Sequence, residues 1–383
     1  MMIHFQRKKD IGLYIHIPFC PSKCHYCSFA VITDHSFYDQ YLAELKKELK
    51  KTIKFAHEQD RTIRTVYFGG GTPSTLKKED IIDLLSIIIP PQSVSDSPSK
   101  SDVIEISFEL NPEHVTKQYL SDLKEIGITR VSIGIQSLDE KVLQKAGRKH
   151  TRAQALHALS LLQNTNIPFN VDLILGLPDS TKENFIHTLE EILQFQPSHI
   201  SSYFLTIESG TPFQLLPEKE FLQEEVQLEI FEQMKSILLK NGFTQYEISN
   251  WAKETTESKH NLMYWRGYEY LGVGLGAGSF FDHKRWSNIQ NMNLYMKNQE
   301  KINLQSIETL SKKDTADTYL MTALRLNEGI DISYMNTLLS DEELIELRKN
   351  ADDMDDMLET TANGYKIKEG KRLLHNFIVS KLL

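Results

Sequence analysis

Only three cysteines occur in 383 residues, at positions 20, 24 and 27. An odd number confined to eight consecutive positions draws no disulfide framework across a fold, which excludes a secreted, bridge-stapled scaffold. In a reducing compartment a tight cysteine cluster serves metal binding more often than bridging. Positive charge is also scarce, because 43 Lys and Arg stand against 52 Asp and Glu and leave a net charge of −9. Nucleic-acid affinity comes largely from clustered Lys and Arg, so no nucleic-acid partner is expected. Long apolar runs are missing too. Nothing approaches the roughly 20 residues that span a bilayer, and Met1 to Asp10 carry charge without an apolar leader core. The expectation is an unprocessed, cytoplasmic chain with no transmembrane segment.

What is present is an α/β rhythm. A composition of 40% apolar and 25% charged residues supports one core of about 300 residues with a smaller appendage. From Gly12 to about Leu205, short β-branched runs alternate with amphipathic stretches, the pattern of successive βα units on a parallel sheet. Strands are predicted near residues 12–17, 64–68, 103–109, 130–135, 169–175 and 199–205. Helices are predicted at Tyr38 to Lys54, where Tyr41, Leu42, Leu45 and Leu49 share a stripe, and at Lys77 to Ile89. Six parallel strands fit either a doubly wound sheet or a partial barrel. The first five runs end on, or close to, Cys20, Gly69 to Thr72, Glu109, Gln136 and Asp172. Chemistry-bearing groups spread over many strand ends favour the barrel, since an open sheet concentrates them at one crevice.

The stretch Pro90 to Ser101 has no periodicity and reads as a surface loop. After Leu205 the rhythm loosens into a helix near Leu222 to Lys240, a strand near Phe243 to Ile248, and a Trp- and Gly-rich segment that looks irregular as far as Arg285. From Ile307 onward, helices at Lys313 to Leu326 and Asp341 to Lys349, a hairpin strand at Gly364 to Lys368 and a final helix from Lys371 to Leu382 resemble a small winged-helix-like α+β domain. The acidic run Asp352, Asp353, Asp355 and Asp356 is most simply a solvated face. The expected organisation is therefore 1–240, 241–306 and 307–383.

The sequence Tyr14-Ile-His-Ile-Pro-Phe-Cys20-Pro-Ser-Lys-Cys24-His-Tyr-Cys27 sets three thiols in a loop directly after a strand. A cubane [4Fe–4S] cluster held by three thiolates leaves one iron open. That corner can take the amino and carboxylate groups of S-adenosylmethionine (SAM), whose sulfonium the cluster then cleaves by one electron. Structural zinc is the rival, with His16 or His25 as fourth ligand, but it usually uses two ligand pairs separated by a longer loop and no second pair is present.

At these residues the chain resembles the radical SAM superfamily, and within it the HemN/HemW family of oxygen-independent coproporphyrinogen oxidases and their relatives. The matching segments follow in order: YIHIPFC at Tyr14 to Cys20, YFGGGTPS at Tyr67 to Ser74, SFELNPE at Ser107 to Glu113, RVSIGIQS at Arg130 to Ser137, GR at Gly147 to Arg148, and VDLILGLP at Val171 to Pro178. The resemblance implies a partial (β/α)6 radical SAM barrel, a HemN-like C-terminal domain, Cys20, Cys24 and Cys27 as cluster ligands, and SAM contacts from Tyr14, Tyr26, Gly70, Gly71, Thr72, Glu109, Gln136, Arg148 and Asp172. No catalytic side chain is assigned. On chemistry alone, glycines let a ligand approach the backbone or make a tight turn. Glu and Asp accept from ribose hydroxyls or an ammonium, and Arg148 can hold a carboxylate or pair within the rim.

The segment His260-Asn-Leu-Met-Tyr-Trp265 and the glycines from Gly272 to Gly278 are not explained by cluster chemistry. A dinucleotide fold is rejected, because no helix and no acidic residue about 20 positions on follow those glycines. Aromatics beside a histidine suit a flat porphyrin, with His260 either an axial ligand to haem iron or a core histidine satisfying a carbonyl. Ser28 and Phe29 stand where the oxidases of the family carry a fourth cysteine two residues on, and the segment before the cluster motif is short. Both features are similar to the HemW branch, whose members are regarded as haem chaperones. That resemblance implies haem as ligand, a haemoprotein as acceptor and no coproporphyrinogen oxidase activity; it leaves a homodimer open. RNA-modifying radical SAM enzymes would bring a basic surface that is not seen here. Changing any one of Cys20, Cys24 or Cys27 to Ala is expected to remove most of the brown, dithionite-bleachable absorption of anaerobically reconstituted protein. Retention of about four irons per chain in the triple variant would refute this ligand set.

Overall fold

The computed structural model describes residues 5–89, 103–297 and 301–383; the Pro- and Ser-rich stretch lies outside them. Six strands, β1 (Asp10–Ile17), β2 (Thr62–Gly70), β3 (Glu105–Leu110), β4 (Arg130–Gln136), β5 (Phe169–Leu175) and β6 (His199–Phe204), pair in parallel and in chain order. Consecutive order decides between the two architectures, because a doubly wound sheet reverses its order at a switch point. The connecting helices are α1 (Tyr38–Glu58), α2 (Lys78–Ile88), α3 (Lys117–Ile126), α4 (Glu140–Lys145), α5 (Arg152–Gln163) and α6 (Lys182–Leu193), followed by α7 (Glu224–Lys240).

Local chemistry places these elements. In β1 the alternate residues Ile11, Leu13, Ile15 and Ile17 are fully buried, while Gly12, Tyr14 and His16 occupy the opposite face, as strand periodicity requires. Helix α1 buries Tyr41, Leu42, Leu45, Leu49 and Ile53 along one stripe. Helices α5 and α6 begin at capping boxes, Thr151 with Gln154 and Thr181 with Asn184. One apolar core joins sheet and helices, with Phe68 and Phe108 on adjacent strands at a 5.4 Å centroid separation.

Beyond β6 the sequence expectation needs correction. The single strand expected from Phe243 to Ile248 is two short ones, β7 (Thr244–Gln245) and β8 (Asn250–Ala252). Between them Glu247, fully buried, accepts from Ser249 N at 2.9 Å and Asn250 Nδ2 at 2.5 Å, which bends the chain. The supposedly irregular segment is also ordered. Helix α8 (Lys259–Trp265) precedes β9 (Tyr270–Val273), which pairs in parallel with β1, and then come β10 (Gly278–Phe281) and β11 (Lys284–Ser287). A Cβ on Gly272 would meet Gly278 O at 2.2 Å, so the glycines serve a close strand-to-strand return.

Helix α9 (Met292–Lys297) and β12 (Glu308–Thr309) lead to α10 (Lys312–Ala323), α11 (Ile332–Met335), α12 (Asp341–Asp352), the hairpin β13 (Leu358–Thr360) and β14 (Tyr365–Ile367), and α13 (His375–Leu382). This part has its own apolar cluster, including Leu320, Leu347, Ile378 and Val379. It is tied to the barrel by Arg325 Nη2, which donates to the buried Glu247 at 2.9 Å. The four aspartates from 352 to 356 are exposed. Phe108→Ala is expected to lower the unfolding free energy by about 3–5 kcal/mol, read from urea midpoints. Ile345→Ala, at a position 67% exposed, should stay within about 0.5 kcal/mol of the parent.

Candidate functional site

The loop after β1 leaves the sheet beside the glycine turn after β2. Ile17 pairs with Gly70, and Gly71 N donates to Ile17 O at 2.8 Å. A Cβ on Gly71 would lie 2.7 Å from the Pro18 carbonyl group, and one on Gly70, at φ +112°, would lie 2.5 Å from the His16 ring. The glycines are thus required by the chain's own packing, whatever ligand they also admit. Gly70 N donates to Glu109 Oε2 at 3.2 Å, so this amide already has a partner.

Cys20, Cys24 and Cys27 are half-buried on this loop. Cys20 Sγ lies 3.2 Å from Thr72 Oγ1, and Asn111 Nδ2 donates to the same Thr72 oxygen at 3.2 Å. Arg148 closes the ring of contacts. Its Nη2 donates to Asn111 Oδ1 at 3.0 Å and to Gly134 O at 2.7 Å, and its Nη1 reaches Cys24 Sγ at 3.7 Å. Two elements place it there. His25 N donates to Ala146 O at 3.0 Å, its Nδ1 sits 2.8 Å from Lys145 O, and Gly147, at φ +73°, passes where a Cβ would strike the His25 ring. Tyr26 packs against Phe213 at 6.3 Å beside Arg148 and Cys24, and burial raises its pKa.

The other strand ends supply acids and an amide. Glu109 accepts from Tyr67 OH at 2.8 Å, and burial, reinforced by the charge of Asp172, pushes its pKa up to about 7. Asp172 accepts from Ser132 Oγ at 2.6 Å and Asn170 Nδ2 at 2.8 Å, and burial raises it as well. Gln136 follows a register irregularity in β4 and has φ +65°, the sort of local strain that concentrates at functional sites. Gln136 Nε2, Arg148 Nη2 and Asn111 Oδ1 surround the position of a Gly134 Cβ within 3.0–3.7 Å. Tyr14 reaches the edge of this group, its ring 3.0 Å from a Gly69 Cβ position that also lies 3.1 Å from Glu109 Oε1.

Arg148 Nε and Glu113 Oε2 are buried without a hydrogen bond, the latter 4.0 Å from His150 Nδ1, and buried polar groups lacking hydrogen bonds are costly unless a ligand or water meets them. The donor set suits a cluster with an amino-acid ligand: three thiols for iron, and a guanidinium N–H for a carboxylate. Burial holds Cys20 up at about 11 and raises Cys27; iron ligation requires both as thiolates. Zinc fares worse. His16 is committed at both ring nitrogens, to Tyr14 OH at 3.0 Å and Ala30 O at 2.9 Å, while His25 is held through Nδ1 by Lys145 O and keeps only Nε2. Among the described residues no three of His, Cys, Asp and Glu converge on one point, whereas a cubane takes each thiolate at its own corner.

Comparison with known proteins agrees with this geometry. The model of the radical SAM superfamily matches residues 14–192. "Heme chaperone HemW" of Bacillus subtilis is 34% identical over 284 residues, 72% of each chain. That of Escherichia coli is 36% identical over 277 residues, 70% of this chain and 69% of the relative. The chain belongs to the HemW family of radical SAM proteins. Among solved structures, the E. coli coproporphyrinogen III oxidase HemN superposes with a TM-score of 0.80 at 21% identity, over 98% of this chain and 91% of that one, which fixes the HemW-family fold as HemN-like. Sequence reasoning missed Asn111, Glu113 and Tyr67, although all three lie within segments that carried the resemblance.

His260 lies away from the cysteine loop. It is 1% exposed, its Nδ1 is 2.8 Å from Thr65 Oγ1, its Nε2 is 2.8 Å from Tyr264 OH, and its ring stacks on Tyr67 at 5.1 Å. Its backbone N donates to Glu105 Oε1 at 3.0 Å, at the start of β3 and so at the opposite strand ends from the cysteine loop. Both ring nitrogens are spent, and burial lowers the pKa to about 3. In this conformation an axial bond to iron has no lone pair to use. For Glu109, the folded chain keeps a proton that the unfolded chain, titrating near about 4.3, has already lost. Apo-protein stability should therefore fall as pH rises from about 4.3 to 7, and Glu109→Gln should flatten that part of the profile in denaturant midpoints. An unchanged profile would contradict the raised value.

Proposed function

We propose that this chain binds a [4Fe–4S] cluster through Cys20, Cys24 and Cys27, SAM at the cluster's open corner, and haem, which it passes to a haemoprotein acceptor. The observation that carries this reading is a three-thiol loop with no fourth cysteine, in a chain 34–36% identical to named heme chaperones over about 70% of its length. When bound, the cluster supplies one-electron reduction at the sulfonium of SAM.

The chain's own residues hold and orient. Arg148 offers its free Nε–H, beside two occupied Nη positions, to the SAM carboxylate. Glu109 and Asp172 suit ribose hydroxyls or the ammonium, and the raised pKa of Glu109 means that a cation beside it draws off its proton near neutral pH. Gln136, aimed by the bulge in β4, and Tyr14 and Tyr26 bound the same space, while Gly70, Gly71 and Thr72 give its floor. Thr72 and Asn111 form a hydrogen-bonded path from Cys20 to Arg148, so ligand and cluster loop are oriented by one network.

Oxygen-independent coproporphyrinogen oxidation is the second reading, favoured by the HemN-like fold and opposed by Ser28 and Phe29 after Cys27. Anaerobically reconstituted protein is expected to bind about one haem per chain, in keeping with a single small-molecule site, and to leave coproporphyrinogen III intact in the presence of SAM and reductant. Decarboxylation at enzyme-like turnover would replace the chaperone reading with the oxidase.

A further inference from the structure

A cavity of about 410 Å³ opens between the barrel edge and helix α10, inside the roughly 300–1,000 Å³ of small-molecule sites. Of its lining, the SAM-site argument uses only Tyr14. One wall is aromatic: Tyr14 of β1, Tyr264 and Trp265 of α8, Tyr270 of β9 and Phe280 of β10. Tyr264 and Tyr270 meet edge to face with centroids 4.5 Å apart, and Phe280 follows 6.4 Å further on. The facing wall comes from α10, through Thr315, Thr318, Tyr319 and Thr322. At one end the Arg7 guanidinium lies 3.7 Å over Tyr334 and 4.9 Å over Tyr268, which stiffens that corner.

Four of the lining tyrosines have hydroxyls that are already engaged. Tyr14 OH is held by His16 Nδ1 at 3.0 Å, Tyr264 OH by His260 Nε2 at 2.8 Å, and Tyr268 OH donates to Phe5 O at 3.0 Å. Tyr319 OH accepts from Asp331 N at 2.9 Å. What the wall offers a ligand is mainly ring surface, with the unpaired Trp265 Nε1 as a donor, suited to a flat aromatic body. The described lining contains no histidine, cysteine or methionine, the side chains that ligate haem iron most often. Charge sits at the rim, where Arg285, its side chain 51% exposed, donates to the equally exposed Glu308 at 2.6 Å. A surface pair of this kind is weak, so its guanidinium is available to a ligand carboxylate.

We propose that this cavity seats a dicarboxylated tetrapyrrole by stacking on the aromatic wall, with Arg285 taking a carboxylate, so that the chain recognises the macrocycle and not its iron. The inference rests on the haem-binding reading above and gives that reading a place and a mode. It also gives His260 a role: a buried imidazole that fixes Tyr264 in the wall. Tyr14 belongs to both this wall and the edge of the SAM site, so the two ligands would lie on either side of one ring.

The test uses the full-length chain and two probes, haemin and metal-free protoporphyrin IX, titrated by quenching of intrinsic fluorescence and by calorimetry. Both probes are expected to bind with dissociation constants within about threefold of each other. Thr318→Trp, which fills the cavity from a half-buried helix position, and Phe280→Ala should each weaken both by about tenfold or more, a change of roughly 1.4 kcal/mol. Arg285→Ala should weaken the free acid and leave the dimethyl ester unaffected. Thermal midpoints and iron content serve as folding controls, and Arg285→Ala, being a surface change, keeps the test open if a wall variant misfolds. Haemin binding 100-fold tighter than the metal-free ring, or full-strength binding by folded cavity variants, overturns the cavity assignment and leaves the haem reading standing. Failure of wild type to bind either probe overturns both.

Discussion

The close backbone contact between Gly71 and the Ile17–Pro18 peptide is the constraint on which the site depends. A hydrogen bond of 2.8 Å from Gly71 N to Ile17 O, at a distance from Pro18 that no Cβ could tolerate, locks the exit of β1 to the exit of β2. The cysteine loop leaves from one of these exits and Thr72 from the other. Any widening between them would separate Cys20 from Thr72 and, through Asn111, from Arg148. The parallel register of β1 on β2 thereby becomes a statement about where three thiols sit.

Around that contact the barrel places charge where water is scarce. Glu109 and Asp172 are both raised by burial and feel one another, while Arg148 has an N–H with no partner. Such an arrangement is destabilising by itself, since stranded buried polar groups oppose folding. On the proposed function, the ammonium and carboxylate of SAM would answer the acids and the guanidinium in turn. Stability is given up locally and recovered from the apolar core that joins the six strands to their helices.

The underside of the barrel behaves differently. There Glu105 takes the backbone of α8, Thr65 and Tyr264 take the His260 ring, and Tyr67 stacks on it. Every polar group named has a partner, which is the mark of a structural plug. It holds in place aromatic rings at the seam with the C-terminal helices.

Much of this was legible in residue order. Strand periodicity located all six parallel strands to within a few residues, and the cysteine spacing picked out the loop after β1, because both signals are local. The middle of the hydrogen-bonded path from Cys20 to Arg148 could not be read that way. Asn111 and Glu113 gained meaning only when β3 and the segment after α4 met across the barrel mouth. The segment from β9 to β10 looked irregular because Gly272 answers to the carbonyl of Gly278 on the neighbouring strand and not to any pattern of its own. His260 shows the limit most plainly. Its residue type and aromatic neighbours suited a metal ligand, yet the availability of a lone pair depends on Thr65 and Tyr264, one of them 195 residues away. The amino-acid sequence alone determined which elements form and which chemical groups the chain owns, through periodicity and spacing. Only the tertiary structure decided which of those groups are free to bind, because hydrogen-bond partners and burial are properties of residues brought together from distant parts of the chain.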